Sequence, residues 1–221
     1  MPIPAASPPE TAAAALCMVC GGRAVDKNSC GDVMLTRDRI KNVLALAETA
    51  TAKGADRTEP LLARDIVVDP RVRLKCRLNL CGQFGRNLMC PPHVWDPAET
   101  AAVLERYVFS LLVQITRTAP ESQSREIFDR EKVTLNALIV DLEQEAFRRG
   151  FSLAVGLGAG HCQLCPACAG EDLPGACRRP QRARPSLEAA GIDVEKTCAA
   201  AGLSGGFVRG QVTLTGLLLV D

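Results

Sequence analysis

Aromatic side chains and net charge are both scarce in this chain. Its 221 residues include one Trp, one Tyr and six Phe, and its formal net charge is only +1. Proteins that bind single-stranded nucleic acids combine a basic groove with aromatic side chains on which the bases stack. The composition therefore argues against a nucleic-acid partner.

Long hydrophobic runs are missing as well. The apolar segment 217–220 is far shorter than the ~20 residues that a membrane-spanning helix needs. The N-terminal residues 1–4 carry no basic side chain, and no continuous apolar segment follows them, so we expect no secretory signal. The sequence predicts a cytoplasmic protein without a membrane partner.

Two common catalytic motifs are absent too. No HExxH and no phosphate-binding P-loop occurs, which argues against metalloproteases and nucleotide triphosphatases. Residues 202–206 spell a nucleophile elbow around Ser204, but no histidine follows this serine, as the triad of an α/β-hydrolase requires. None of these enzyme classes is expected.

Cysteine, by contrast, is abundant, with eleven residues. Seven of them form two sets, called here the first set (Cys76, Cys81 and Cys90) and the second set (Cys162, Cys165, Cys168 and Cys177). Thiols in the cytosol are kept reduced, and an odd count is a poor basis for a disulfide framework. The sequence therefore predicts metal binding.

The spacing of the second set favours an iron–sulfur cluster. Three of its cysteines are separated by two residues each, and the more distant Cys177 closes the site, as in a similar run of bacterial ferredoxins. Structural zinc sites usually use two separate Cys-x2-4-Cys pairs. We expect a [4Fe-4S] cluster at the second set, allow a second cluster at the first set, and keep zinc as the alternative.

Basic side chains accompany both sets, without any acid in either segment. They are Arg71, Arg73, Lys75, Arg77 and Arg86 around the first set, and Arg178, Arg179, Arg182 and Arg184 after Cys177. Basic groups near a negatively charged cluster stabilise its reduced form. They would equally suit an anionic ligand or a solvated surface, and the sequence leaves these interpretations open.

The only two histidines, His93 and His161, each stand beside a cysteine set. Each is a candidate cluster ligand, proton donor to a substrate or hydrogen-bond donor to sulfur, and both are our candidates for a catalytic role. The glycine-rich run 156–160 leads into a cysteine loop and lacks the spacing of a dinucleotide fingerprint. We interpret it as bare backbone that supplies amides to cluster sulfurs.

Residues 1–34 differ in composition from the rest. They are rich in proline and alanine and contain Cys17, Cys20 and Cys30. Such a segment cannot build a core by itself, so we expect a flexible extension, with a third metal or thiol site as the alternative. The metal-binding domain is then 35–221.

Hydrophobic periodicity predicts an α/β domain for residues 35–221. Helices are expected at 37–53, 96–106 and 124–149, a broken helix at 186–201, and strands at 64–70, 107–116, 151–157 and 212–220. The strand–helix–strand unit 107–157 should be a right-handed parallel crossover. We therefore expect one mixed, mainly parallel sheet of about four strands with flanking helices and two cysteine-rich loops.

Several stretches together resemble a cysteine-rich prokaryotic family of predicted metal-binding proteins, domain of unknown function 2284. They are Arg71–Cys76, Cys81–Pro92, His161–Pro180, Arg184–Glu188 and Gly191–Val194. The resemblance covers residues 36–221 and implies a metal or iron–sulfur site without specifying a reaction.

The chain departs from this family at two positions. Members often have a cysteine where this chain has Ala190, and an aromatic residue where it has His93. The first departure leaves the fourth ligand of the first set open. Cys198, about two helical turns after Ala190, and His93 are the candidates to replace it.

These observations lead to one favoured function and two alternatives. We expect a redox or electron-transfer protein, an iron–sulfur oxidoreductase or a component of one, with two four-iron sites and an open iron at the first set. Its partner would be a redox protein or a small anionic ligand. The alternatives are a zinc-stabilised, non-catalytic adaptor and a carrier that delivers a metal or cluster.

Deletion of residues 1–34 tests the predicted domain boundary. Because this segment lacks a core-forming pattern, we expect the truncated protein to keep the metal content and the melting temperature of the full chain. Metal analysis and thermal melting measure both. Loss of one metal equivalent would instead show that Cys17, Cys20 and Cys30 form a third site.

Overall fold

The computed structural model of the chain describes residues 29–172, 176–206 and 208–221. The described helices are α1 (Ser29–Ala52), α2 (Pro70–Arg77), α3 (Pro97–Leu104), α4 (Ser124–Arg148) and α5 (Val194–Ala200). The described strands are β1 (Arg57–Leu62), β2 (Phe109–Thr118), β3 (Val155–Leu157) and β4 (Gln211–Val220). None of these helices is both long and apolar enough to cross a membrane.

The chain divides after Asn42 into two units, and the sheet lies in the second, Val43–Asp221. Cys17 and Cys20 lie outside the described residues, and of Cys30 only the backbone, in the first turn of α1, is described. The separation of an extension, 1–34, from a metal-binding domain stays a prediction.

The four strands form one antiparallel sheet in the order β1-β2-β4-β3. The expected number of strands and the α/β class are confirmed, but the prediction of a mainly parallel sheet is wrong. β2 and β3 do run in the same direction, since each pairs antiparallel with β4. The last strand of the chain inserts between them, and this pairing replaces the parallel contact that we expected.

The first strand lies earlier in the chain than predicted. The expected strand 64–70 is wrong, because Val68 makes only a single bridge, to Ile192, and Pro70 begins α2. Asp69 caps that helix, since its carboxylate accepts the Arg71 amide at 2.9 Å. Strand β1 was not predicted, because Pro60 within it argues against a strand. Proline is tolerated there because β1 lies at the edge of the sheet.

The two faces of the sheet are covered by different elements. α4 packs across β4, β3 and β2 on one face, with Leu135, Ile139 and Leu142 fully buried. The other face packs against an apolar cluster that includes Leu104 of α3, Leu187, Ala190 and Ile192. This second layer contains the turn 186–192, which replaces the first half of the predicted broken helix.

Side chains of α4 fix the strand that leads into the second cysteine set. The Glu143 carboxylate accepts the Gly156 amide at 2.8 Å and pairs with the Arg184 guanidinium, also at 2.8 Å. The Asn136 carboxamide oxygen accepts the Ala159 amide at 3.1 Å. Because the cysteine loop begins three residues after Ala159, these bonds set where the loop starts.

The glycine-rich run 156–160 has a different role from the one we expected. The amides of Gly156 and Ala159 donate to α4 side chains, and that of Gly158 donates to the Pro185 carbonyl at 2.8 Å. They are therefore not available to cluster sulfurs. The glycines are required by close packing, since a Cβ at Gly158 would lie 1.6 Å from the Asn136 Oδ1.

Substitution Gly158→Ala tests this close approach. The added methyl group overlaps Asn136, so we expect the free energy of unfolding to fall by about 1–3 kcal/mol. Gly206→Ala is the matched control, because its Cβ would meet the Glu195 carboxylate at an ordinary 3.5 Å. Urea denaturation of both variants measures the difference, and equal midpoints would contradict the packing argument.

Candidate metal centre

All four cysteines of the second set line one small cavity. Leu88, Met89, Arg178 and Arg179 are among the other residues of its wall, and its volume is about 20 Å³. This is little more than the space that one water molecule requires. The structure thus brings all four cysteines of this set to the wall of one cavity.

Backbone amides point at the sulfurs of this set from two separate segments. The Leu88 amide donates to the Cys168 sulfur at 3.5 Å, and the Arg179 amide donates to the Cys177 sulfur at 3.4 Å. Burial raises the pKa of the Cys162 thiol, while the Leu164 amide acts in the opposite direction. Such N–H···S bonds stabilise thiolates and tune cluster potentials, so the donors fit an iron–sulfur cluster or another soft metal.

Asn87 ties the two cysteine segments together. Its buried carboxamide donates from Nδ2 to the Cys162 carbonyl at 2.9 Å, and its Oδ1 accepts the Met89 amide at 3.0 Å. Gly170 lies close to the same segment, since a Cβ there would meet the Arg86 carbonyl oxygen at 2.7 Å. The sequence analysis missed Asn87, because asparagine among loop residues carries no distinctive signal.

The first set is held by α2 and by two loops that follow it. Cys76 lies in the last turn of α2, and exposed Cys81 lies in a loop closed by the Asn79 carboxamide, which accepts the Phe84 amide at 2.9 Å. Asn79 has a positive φ of 53°, which asparagine tolerates better than most residues. A further loop brings buried Cys90 back towards Cys76.

Cys90 stands between the two sets. Burial raises the pKa of its thiol to about 12, with smaller contributions from Cys81 and Cys76 of the first set and from Cys162 and Cys168 of the second. Burial also raises the pKa of the Cys76 thiol, which the nearby Arg73 guanidinium opposes. Metal binding would have to displace the protons of these thiols.

A large open cavity adjoins the first set. Its volume is about 630 Å³, and all three cysteines of the first set line it. Its wall combines apolar and charged side chains, among them Phe84, Phe128, Ile192, Lys75, Arg125 and Glu188. His161 also lines this cavity, so the histidine beside the second set in sequence faces the space next to the first set.

The two histidines have different surroundings. The His93 Nε2 lies 3.1 Å from the Gly85 carbonyl oxygen, within its own loop. His161 lies 3.5 Å from the buried Lys132 ammonium, which also pairs with Asp129 at 2.8 Å. Burial, followed by the Lys132 charge, lowers the pKa of His161. A neutral imidazole beside the cavity can accept a proton or a hydrogen bond.

Cys198 lies apart from both sets among the described residues. It is buried on α5, and its sulfur accepts the Gln114 carboxamide at 3.5 Å and lies 3.7 Å from the Thr215 hydroxyl. Burial raises the pKa of its thiol, and no other cysteine contributes to this shift. Ala190, where the resembling family often has cysteine, is fully buried in the apolar cluster.

Several of the basic side chains near the cysteine sets bond to other protein groups and stabilise the fold. Arg73 donates to the carbonyls of Trp95 and Ala189, and Arg184 pairs with Glu143. Arg71 pairs with Asp69. Arg178 and Arg179 do line the cavity of the second set, where their charge would be favourable beside a negatively charged, thiolate-bound cluster.

The thiols of the described residues are gathered but not close enough to hold a single ion. No group of three or more His, Cys, Asp or Glu side chains within the described ranges has that geometry. The four sulfurs around zinc lie about 3.8 Å from one another, as Zn–S bonds of ~2.3 Å in a tetrahedron require. A larger cluster accepts more widely spaced sulfurs, and loading either group needs local adjustment of the loops.

Alkylation of the metal-free protein tests the exposure of the first set. Because the thiolate is the reactive form, exposed Cys81 should react with iodoacetamide roughly tenfold or more faster than buried Cys90, whose pKa is about 12. Peptide mass spectrometry over time measures each site, and buried Cys198 is the internal control. Equal rates at Cys81 and Cys90 would contradict the described loop.

Comparison with known proteins identifies the family of the chain. Residues 59–220, which include both cysteine sets and the cavity, match the family described as predicted metal-binding protein (DUF2284). No curated protein and no solved structure matches significantly. The match confirms the resemblance inferred from the motifs and supports metal binding without specifying the metal. The chain therefore belongs to this family of predicted metal-binding proteins.

Proposed function

We propose that the protein carries two four-iron clusters and works in redox chemistry. Cys162, Cys165, Cys168 and Cys177 would hold the cluster that accepts and donates electrons. The first set would hold a cluster with one iron open to the adjoining cavity. When bound, such clusters supply one-electron transfer, and an open iron adds a binding position for a small ligand.

The cavity beside the first set is the observation that carries this proposal. Its volume of about 630 Å³ falls within the range of about 300–1,000 Å³ that is typical of small-molecule sites. A purely structural metal site is closed, whereas a catalytic site keeps an open position. Three cysteines on the wall of a ligand-sized cavity fit the second description.

The short connection between the two sets supports electron transfer between them. The Leu88 amide bonds to the Cys168 sulfur, and only Met89 separates Leu88 from Cys90. These two residue steps span at most about 7 Å. Electrons delivered to the second set would thus have a short path to the first, where the cavity admits a ligand.

The charge around the cavity supports a polar ligand. Lys75 and Arg125 line it, and Arg125 pairs with Asp129 at 2.9 Å. His161 offers a neutral ring nitrogen on the same wall. These side chains would orient an anionic or hydrogen-bonding group, while Phe84 and Phe128 exclude water from its apolar part.

Zinc at the second set is the second candidate. The cavity there, about 20 Å³, is closer to the size of a single ion than to that of a cluster, although the sulfurs would first have to approach one another to hold the ion. In that case the metal would hold the loops together and the protein would be an adaptor. Iron and zinc analysis separates these functions directly.

Anaerobic purification tests the proposal. We expect a brown protein with about eight iron and about eight sulfide per chain, as two four-iron clusters require. Substitution Cys165→Ser should remove about four iron and lower the melting temperature, because metal-ligand bonds stabilise such loops. Cys198→Ala is the matched control, since this buried thiol lies among Gln114 and Thr215, and it should keep all iron.

Other outcomes would point elsewhere. A colourless protein with stoichiometric zinc would replace the proposal with the adaptor function. Full iron in Cys165→Ser would exclude this residue as a ligand. Release of the clusters to a chelator within minutes would favour a carrier.

A further inference from the structure

The first set provides only three cysteines, and the structure engages the two expected candidates for a fourth ligand elsewhere. Cys198 is buried against Gln114 and Thr215, and the His93 ring contacts the Gly85 carbonyl. Three cysteines on a four-iron cluster would leave one iron without a protein donor. The remaining candidates are side chains on the wall of the 630 Å³ cavity that face the same thiols.

Arg73 anchors to α2 the turn that carries one acidic side chain, Glu188. Its guanidinium donates to the Ala189 carbonyl at 2.7 Å, which joins α2 to the turn 186–192. Cys76 follows Arg73 by three residues, so the two side chains lie on the same face of α2. Glu188, the residue before Ala189, therefore belongs to a turn that is anchored to the helix of Cys76.

Two further observations bring Glu188 towards the thiols. It lines the same cavity as Cys76, Cys81 and Cys90. Its charge also acts on the Cys76 thiol, as does the charge of Cys81. Both place its carboxylate within electrostatic reach of the first set.

The Glu188 carboxylate is free to bind. Its side chain is exposed and makes no hydrogen bond or ion pair with another described residue. The backbone around it is fixed, since the Ile192 amide donates to the Leu187 carbonyl at 2.9 Å and the Leu187 amide donates to Gly158. A turn with a hydrogen-bonded backbone thus carries an exposed carboxylate on the cavity wall.

We propose that the Glu188 carboxylate is the fourth donor of the first set and that small anionic ligands displace it. This inference rests on the proposed function, because it assumes iron at Cys76, Cys81 and Cys90. A carboxylate oxygen is a harder donor than thiolate and would bind the open iron of a cluster less firmly than a fourth cysteine would. In the exchange, the bond from iron to Glu188 breaks and a bond to the incoming ligand forms, with no change in oxidation state.

Two substitutions of Glu188 test this role in the reconstituted full chain, with cyanide as the probe. In Glu188→Gln, the competing carboxylate is lost, so cyanide should change the electron paramagnetic resonance spectrum at a several-fold lower concentration. In Glu188→Cys, a fourth thiolate should keep all iron and abolish the cyanide effect. Iron content and the spectrum are both measured.

Glu195→Gln is the matched control, because Glu195 is also exposed and lines the same cavity. It should respond to cyanide as the parent protein does. Identical cyanide responses of the parent and both Glu188 variants would overturn the role of Glu188 and leave the proposed function standing. If the Cys81→Ser variant kept as much iron as the parent protein, the proposed function would be overturned, and the Glu188 proposal with it.

Discussion

The buried carboxamide of Asn87 holds the two cysteine segments together. It bonds to the Cys162 carbonyl on one side and to the Met89 amide on the other, so it fixes the segment that also carries the Leu88 amide and Cys90. A buried amide without partners would cost roughly 1–3 kcal/mol, so this arrangement is strongly specified. The nearness of the two candidate metal sites depends on it.

The two sets differ in their backbone donors and in the cavity that each one faces. Burial raises the thiol pKa in both sets, at Cys76, Cys90 and Cys162, and so favours the protonated form until a metal binds. Amides from Leu88 and Arg179 already point at sulfurs of the second set. The second set thus lines a small cavity and is provided with N–H donors, whereas the first set faces a ligand-sized cavity. This asymmetry is the physical basis for giving them different tasks.

Many charged residues that looked functional in the sequence build the framework instead. Arg73 links α2 to the turn 186–192, and Arg184 links the segment after Cys177 to Glu143 of α4. Because α4 also fixes the amides of Gly156 and Ala159, one helix positions both ends of the second cysteine loop. Charge clusters near metal sites therefore need their partners identified before a role in binding is assigned.

The sequence by itself determined the family, the two cysteine sets and the longest helix and strands. These features are local: a spacing of cysteines, or a hydrophobic period within one segment, as in α4, β2 and β4. The prediction of a strand at 64–70 was wrong because Pro70 begins a helix. Strand β1 was not predicted because it contains Pro60, which only an edge strand tolerates.

Only the tertiary structure decided how these segments meet. It inserted β4 between β2 and β3, buried Cys198 against Gln114, and placed Glu188 on the same cavity wall as Cys76. It also showed that the glycines 156–160 make room for Asn136 and Ile139. Each of these results depends on contacts between residues far apart in the chain, which no local sequence pattern encodes.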